Sequence, residues 1–258
     1  QCHRLFCACS GLKLRPGFQI GGFARCPHRR CQQSLFDSRK NRGENAITPL
    51  SGSFSWEQTA LSRPTPGIAF DFRFGYQSGN AFSTNRLEEF DPFENRLGIG
   101  WRHSFEVRVL PPQFFDPHEA LLLRSLGLMD WTGSIETWER DTNSTPVLRY
   151  FTRHKEYRGE LSVPLDNPLC EWVTPERLVY RFRNPFLESN PIMIGRLVEI
   201  RDFNSNSVKL LWDEVNGRIT QAVDTVSGKY DFRYNNDNVL TNVSFGDWAV
   251  NFAYASNR

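Results

Sequence analysis

No stretch of this chain approaches the roughly 18 uninterrupted apolar residues that a membrane-crossing helix needs, so no membrane-spanning segment is expected. The N-terminus lacks the succession of charged start, apolar run and small-residue cleavage site that marks a signal peptide. No Gly-rich phosphate loop leads into a helix. Methionine is scarce, at 2 residues, whereas there are 21 Phe and 7 Trp. The large apolar residues are therefore of types that favour strands over helices. Beyond residue 31 the only cysteine is Cys170; the other five are Cys2, Cys7, Cys9, Cys26 and Cys31. That distribution does not fix the redox compartment.

What is present is length and sheet pattern. At 258 residues the chain suffices for one large β domain or two modest ones. The net charge of +2 hides an asymmetry: residues 1–45 hold nine Lys/Arg against two Asp/Glu, leaving 22 against 27 in the rest. A basic tail thus precedes a mildly acidic body. The chain opens on Gln1 and stops at Arg258 just after a strand-like segment, and it reads as a piece of a longer protein.

Residues 1–48 show no period of 2 or 3.6, and little regular structure is expected there. From Gly52 the character changes. SFSWEQ alternates, with Phe54 and Trp56 on one face. After the turn-like PTPG ending at Pro66 and Gly67, IAFDFRFGY sets Ile68, Phe70, Phe72, Phe74 and Tyr76 against Ala69, Asp71, Arg73 and Gly75. This is the clearest strand in the chain. LGIGWRHSFEVRVLPP predicts a second amphipathic strand. Trp101, His103, Phe105, Val107 and Val109 form one face, Arg102, Ser104, Glu106 and Arg108 the other, and Pro111 and Pro112 close it. Glu119 to Met129 could form a short helix, but Gly127 and the following DWTG turn favour a strand. SIETWER, VLRYFTR and LVYRFR continue the alternation, with none of the intervening helices of a parallel sheet.

The end of the chain repeats itself. GRLVEIRD, beginning at Gly195, returns 22 residues later as GRITQAVD, beginning at Gly217. Gly195, Arg196, Leu197, Ile200 and Asp202 fall opposite Gly217, Arg218, Ile219, Ala222 and Asp224, and Leu210 and Trp212 fall opposite Phe232 and Tyr234. In a third, worn copy Leu240, Val243, Phe252 and Tyr254 take the same roles. Each copy reads as strand, turn, strand, turn. Alternating apolar columns, such as Tyr230, Phe232 and Tyr234, face one side of a sheet. Asn216-Gly217 suits a two-residue turn in which both residues take positive φ, and Ser227-Gly228 and Gly246-Asp247 supply others. Such hairpins cannot cover their own apolar faces and must stack.

The pattern G-R-[LI]-x-x-[IA]-x-D, then a turn, then aromatics ending in Tyr or Trp, resembles the YD repeat of the rearrangement-hot-spot (Rhs) family. That family is shared with the B/C components of insecticidal toxin complexes and with teneurins. Upstream, SGSFSWEQTALSRPTPGIAFDFRFGYQSG and LGIGWRHSFEVRVL, carrying Gly52, Phe54, Pro66, Gly67, Tyr76, Gly98, Gly100 and Trp101, resemble the entry region of bacterial members. DWTGSIETWER resembles the D-x-x-G hairpin that follows it. Ala60, Gly75 and Trp212 stand where the family usually has Asp, Arg and Tyr. The resemblance covers about residues 50–258 and implies an all-β fold in which, after the poorly ordered Cys/Arg-rich tail (1–48) read from composition, an irregular entry region (49–190) leads to at least three YD-type repeats (191–258). It further implies part of a spiral β-shell that encloses a C-terminal toxin domain of the same polypeptide, in a bacterial protein secreted or held at the cell surface. A secretion-system component is a second expected partner.

Two other function classes stand against that reading. Ordered aromatic columns could stack on sugars in a surface adhesion or carbohydrate-binding module, although at period 2 such a stripe is usually core. Catalysis has little behind it. His103 lies on an apolar face and reads as a core or lumen-wall histidine, and Cys170 lacks a local His partner. Glu88, Glu89 and Asp91 read as a solvated cluster rather than paired catalytic carboxylates. The chain is expected to be non-enzymatic, with no cofactor. The tail cysteines, with His3 and His28, could offer zinc ligands, but their spacing fits no common finger or ribbon. Nucleic acid is not an expected partner, the Arg-rich tail being the one feature that could touch it. Residues 50–258 alone are expected to aggregate, because a cut array bares an edge and an apolar face.

Overall fold

The computed structural model describes residues 5–9 (backbone only), 54–78, 96–111, 124–142, 146–152 and 159–254. Its strands are β1 (Leu5–Cys9), β2 (Ser55–Arg63), β3 (Phe70–Gln77), β4 (Trp101–His103), β5 (Arg108–Leu110), β6 (Ser125–Met129), β7 (Ile135–Arg140), β8 (Val147–Phe151) and β9 (Glu160–Pro164). They continue with β10 (Leu169–Val173), β11 (Val179–Arg183), β12 (Leu197–Arg201), β13 (Ser207–Asp213), β14 (Arg218–Val223), β15 (Lys229–Tyr234), β16 (Leu240–Phe245) and β17 (Trp248–Tyr254). The fold is all-β and antiparallel. β5 to β17 form one meander in which each strand pairs with the next, and β1 joins it against β17; β2, β3 and β4 make a separate sheet. The expected boundary near residue 190 falls between β11 and β12 and does not interrupt the large sheet.

Alternation in the sequence becomes burial in the structure. Phe70, Phe72 and Phe74 of β3 are buried, as are Val208 and Leu210 of β13, Tyr230 and Phe232 of β15, and Val250 and Phe252 of β17. Ser125 to Met129 form a strand and not a helix, with all five residues buried. In the stretch expected to lack regular structure, β1 pairs antiparallel with β17 from Leu5↔Tyr254 to Cys9↔Val250. The edge of β17 offers unpaired N–H and C=O groups, which a strand of any suitable sequence satisfies.

The second predicted strand is broken. β4 pairs with β3 in the small sheet, whereas β5 pairs with β6 in the large one, and Ser104-Phe105 turn the chain between them. The apolar face is as expected, but Arg102, Glu106 and Arg108 on the other face are also buried. The chain passes here between two layers, so both of its sides are covered. Arg108 is tolerated because backbone carbonyls surround it: Nε donates to Ile194 O at 2.7 Å, and Nη2 to Pro191 O and Ile192 O, each at 3.3 Å.

At the same place the large sheet returns on itself. β5 pairs with β6 along one edge, and on the other Arg108 bridges Arg196 while Val109 N–H donates to Gly195 O at 3.0 Å. β5 to β12 are thereby joined at both ends. Gly195, expected simply as a turn residue, is the crossing point: a Cβ there would sit 1.7 Å from Val109 O.

Among the described residues five hairpin turns share one design. Asp130, Thr174, Asp202, Asp224 and Asn235 each begin a five-residue turn in which the first N–H donates to the fifth carbonyl at 2.9–3.0 Å. The side-chain oxygen of each first residue accepts the fifth N–H, a local cap that these residue types supply. The fourth position always takes positive φ: Gly133, Arg177, Ser205, Ser227 and Asn238. This corrects two expected turns. In Ser227-Gly228 it is Ser227, and not the glycine, that adopts φ 63°. Asn216-Gly217 is the second half of a four-residue loop between β13 and β14, with Gly217 alone at positive φ.

Candidate functional site: the seat of the small sheet on the repeats

The first two repeats are locked by two contacts that their sequence pattern does not announce, and the third, which lacks the Arg, by one of them. Arg196 lies over the ring of Trp212 at 5.2 Å and Arg218 over that of Tyr234 at 5.3 Å, so the Arg of each Gly-Arg pair stacks on the aromatic that ends its own copy. The polar tip of that aromatic turns back to the first apolar residue. Trp212 Nε1 donates to Leu197 O at 2.9 Å and Tyr254 Oη to Leu240 O at 2.6 Å, while Tyr234 is hydrogen-bonded to the Ile219 backbone. Leu197, Ile219 and Leu240 are buried beneath. An indole N–H does the work of a phenol O–H, which explains Trp212 in the place of tyrosine. Burial pushes the phenols of Tyr234 and Tyr254 well above the ordinary range. Asp202 and Asp224 cap the turns, and Asp202 is held below the usual carboxylate range by its hydrogen bonds, first from Asn206.

The repeat columns are not open. β3 lies on them: Phe70 stacks on Tyr230 with ring centres 3.5 Å apart, Phe72 meets Phe232 edge-on at 5.7 Å, and Phe74 meets Phe252 at 5.3 Å. Trp56 and Trp101 back Phe74. The first part of the entry region, β2 to β4, is thus a second layer over the ribbon, whereas β5 to β11 extend it. The apolar face expected to be bare is covered by β3, whereas the edge of β17 is covered by β1, which lies outside residues 50–258. The columns' buried rings are likewise closed to stacking sugars.

Two arginines fasten this seat at opposite ends of the hairpins. At one end Arg63 Nη1 donates to Asp224 Oδ2 at 2.9 Å and to Tyr230 Oη at 3.4 Å, and its guanidinium covers Phe245 at 4.2 Å. Tyr230 Oη donates to the same Asp224 oxygen at 2.9 Å, leaving Oδ1 to cap the turn. Burial above all, aided by Asp224, pushes the Tyr230 phenol up to about 12 against the opposing pull of Arg63. At the other end Arg96 Nη2 donates to Gly217 O at 2.9 Å and also reaches Asn216 O, and Nη1 donates to Asn238 O at 3.4 Å. Arg96 O accepts Leu240 N–H at 2.8 Å. Neither arginine carried a signal that separated it from its surface-like neighbours in sequence.

The entry-motif residues build the small sheet's corners. Gly67, at φ 81°, follows the exposed Pro66 and comes so close to the 202–206 turn that a Cβ would lie 2.1 Å from Asn206 Nδ2. Gly98 and Gly100 take positive φ where the chain turns into Trp101, and Gln77 N–H donates to Gly100 O at 2.9 Å. Tyr76 packs on Trp101 at 5.2 Å and on the half-exposed Phe54 at 6.3 Å. Gly228 has no room for a side chain, because a Cβ would fall 2.3 Å from Arg63 Nη1. Gly52 lies outside the described residues, as do Glu88, Glu89 and Asp91 and the side chains of the tail's candidate zinc ligands.

His103 is buried in the seat, 5.3 Å from Phe72, with Nε2 3.4 Å from Glu106 Oε1. Cys170 is a free buried thiol, pushed up by desolvation and unsuited to act as a nucleophile. Among the described residues no three His, Cys, Asp or Glu side chains converge to hold a metal, and no helix is long and apolar enough to cross a membrane. No protein-family model matches the chain, and none of the curated proteins matches it.

Proposed function

We propose that this chain is a non-enzymatic wall segment of an Rhs/YD-type β-shell, whose task is to enclose a C-terminal toxin domain in a bacterial protein secreted or displayed at the cell surface. The observation that carries this reading is the repeated lock. The aromatic tip returns to the first apolar backbone in all three copies, and in the first two the Arg over the terminal aromatic and the side-chain-capped turn recur as well, as expected of a unit made to be stacked many times. The small sheet supports it further, since it seals the first copies where an array must begin and terminal units need a cap.

The test is the reading frame downstream of Arg258. Further copies of GRL…Y, followed by an Asp-containing cleavage block and an unrelated terminal domain, are the expected result. A frame that ends within a few copies leaves nothing to enclose and overturns the proposal. The secretion machinery that would carry such a shell belongs to the same proposal, tested by whether the intact protein leaves the producing cell.

A further inference from the structure

A cleft of about 240 Å³ lies away from the seat, between the outward face of the small sheet and the tip of the β6–β7 hairpin. Ser55 pairs with Gln77 and Glu57 with Gly75 across β2 and β3, so these four residues share the face opposite to Phe74. Strand alternation places them there. Gly75 gives this face its depression: the Trp131 ring lies over it, with Cζ3 only 3.1 Å from where a Cβ would be. Trp131 itself is carried on the capped Asp130 turn, where Asp130 Oδ1 accepts the N–H of Thr132 at 2.9 Å and its hydroxyl at 2.6 Å. A half-buried indole is thus held by a rigid turn against a glycine-made hollow, with a carboxylate, an amide and hydroxyls around it.

We infer that this cleft is a binding subsite for a neutral sugar ring, part of an oligosaccharide. The chemistry matches on three counts. A pyranose offers an apolar C–H face to an indole and hydroxyls to groups such as those of Glu57, Gln77, Ser55 and Thr132 at its rim. The volume falls below the range of drug-sized pockets and suits a single ring. Among the described residues the one carboxylate of this face is paired, since Arg73 Nη1 lies 3.3 Å from Glu57 Oε1 and its guanidinium 5.7 Å from the Trp131 ring, which suits a neutral ligand. The site is separate from the aromatic columns, whose Tyr230, Phe232 and Phe252 rings are buried, and it does not rest on the shell reading.

The test uses the full chain labelled with 5-fluorotryptophan and followed by fluorine NMR, with each resonance assigned by a Trp→Phe variant. Cellotriose, maltotriose and N,N′,N″-triacetylchitotriose are titrated to about 10 mM, a range that registers even millimolar affinity. At least one sugar is expected to shift the Trp131 resonance saturably and leave the core Trp138 resonance in place. Trp131→Ala, checked for an unchanged melting curve, is expected to reduce affinity at least about tenfold. Because the primary readout is made on the unsubstituted fold, a destabilised variant does not obscure it. No shift at Trp131 with any sugar overturns the proposal, and so does a shift confined to Trp248. Tighter binding of a sulfated heparin fragment than of all three neutral sugars overturns the assignment of a neutral ligand.

Discussion

β3 and the repeat strands bury comparable aromatic surface by different means. β3 places Phe70, Phe72 and Phe74 at every core-facing position, and its fit depends on residues more than 100 positions away, Tyr230, Phe232 and Phe252. The repeats place one or two large residues per strand and secure them within about 20 positions, through the Arg218–Tyr234 stack and the Asp224 cap. One region is held by long-range packing, the other by local locks that neighbours then reinforce. Removing a β3 ring should therefore loosen the whole seat, whereas removing a lock should be felt mainly in one hairpin.

The largest effect is expected at Phe72, which touches both Phe232 and Phe252. Phe72→Ala should cost about 4 kcal/mol, read from the urea midpoint at unchanged slope. A loss below about 1 kcal/mol would mean that β3 is not seated on the repeats. Asp224→Ala comes next. It removes the buried carboxylate that accepts from the turn N–H groups, from the Tyr230 hydroxyl and from Arg63, whose side chain is 34% exposed. Removing one partner of a buried pair costs about 3–5 kcal/mol, and solvent around Arg63 reduces this to about 3 kcal/mol. Asp202→Ala, which loses only local hydrogen bonds, should cost clearly less than Asp224→Ala. Equal losses at the two aspartates would erase the distinction between seat and local lock.

A glycine pair separates backbone strain from crowding. Gly217 and Gly246 have similar positive φ, 59° and 54°. A Cβ at Gly217 would lie 2.1 Å from Ile192 Cγ2, whereas one at Gly246 meets nothing within 4 Å. Gly246→Ala should cost about 1 kcal/mol from conformation alone, and Gly217→Ala about 2–3 kcal/mol once overpacking adds to it. Gly217→Val should be worse still.

Alkali probes the seat without mutation. The folded Tyr230 phenol titrates at about 12, above the ordinary value of 10. Its contribution to stability is complete below pH of about 10 and is lost as pH rises through about 12, because the unfolded chain releases the proton first. Tyr230→Phe should flatten that part of the stability curve. A curve of unchanged slope between pH of about 10 and 12 would remove Tyr230 from the argument.

How much of this was legible followed the same division. The meander, the hairpins and the core faces of β3, β13, β15 and β17 could be read because alternation and the 22-residue offset are local facts. The break between β4 and β5 could not. Arg102, Glu106 and Arg108 have the look of a solvated face, and only the second layer buries them. Asp130 displayed its turn openly as DWTG, but the same turn at Asp202, Asp224 and Asn235 was disguised by serine or asparagine at the left-handed position. Arg63 and Arg96 gave no sign of their role, because the groups that define it come from elsewhere in the chain.

The smallest expected effect tests whether the copies are equivalent in physics and not only in sequence. Trp212 ends the first repeat, where a tyrosine ends the next two, and its indole N–H reaches Leu197 O as the Tyr254 hydroxyl reaches Leu240 O. Trp212→Tyr keeps a donor at the tip and a ring beneath Arg196, so its cost should stay below about 1 kcal/mol. Trp212→Phe keeps the ring but leaves the Leu197 carbonyl without that donor, and should cost about 1 kcal/mol more than Trp212→Tyr. If the two variants prove indistinguishable, the returning hydrogen bond contributes nothing, and the aromatic end of the first copy is fixed by packing and the Arg196 stack alone. If Trp212→Tyr is the worse of the two, the first repeat has been fitted to its wider ring by the neighbouring β11–β12 connection, and it belongs mechanically with the irregular half of the sheet.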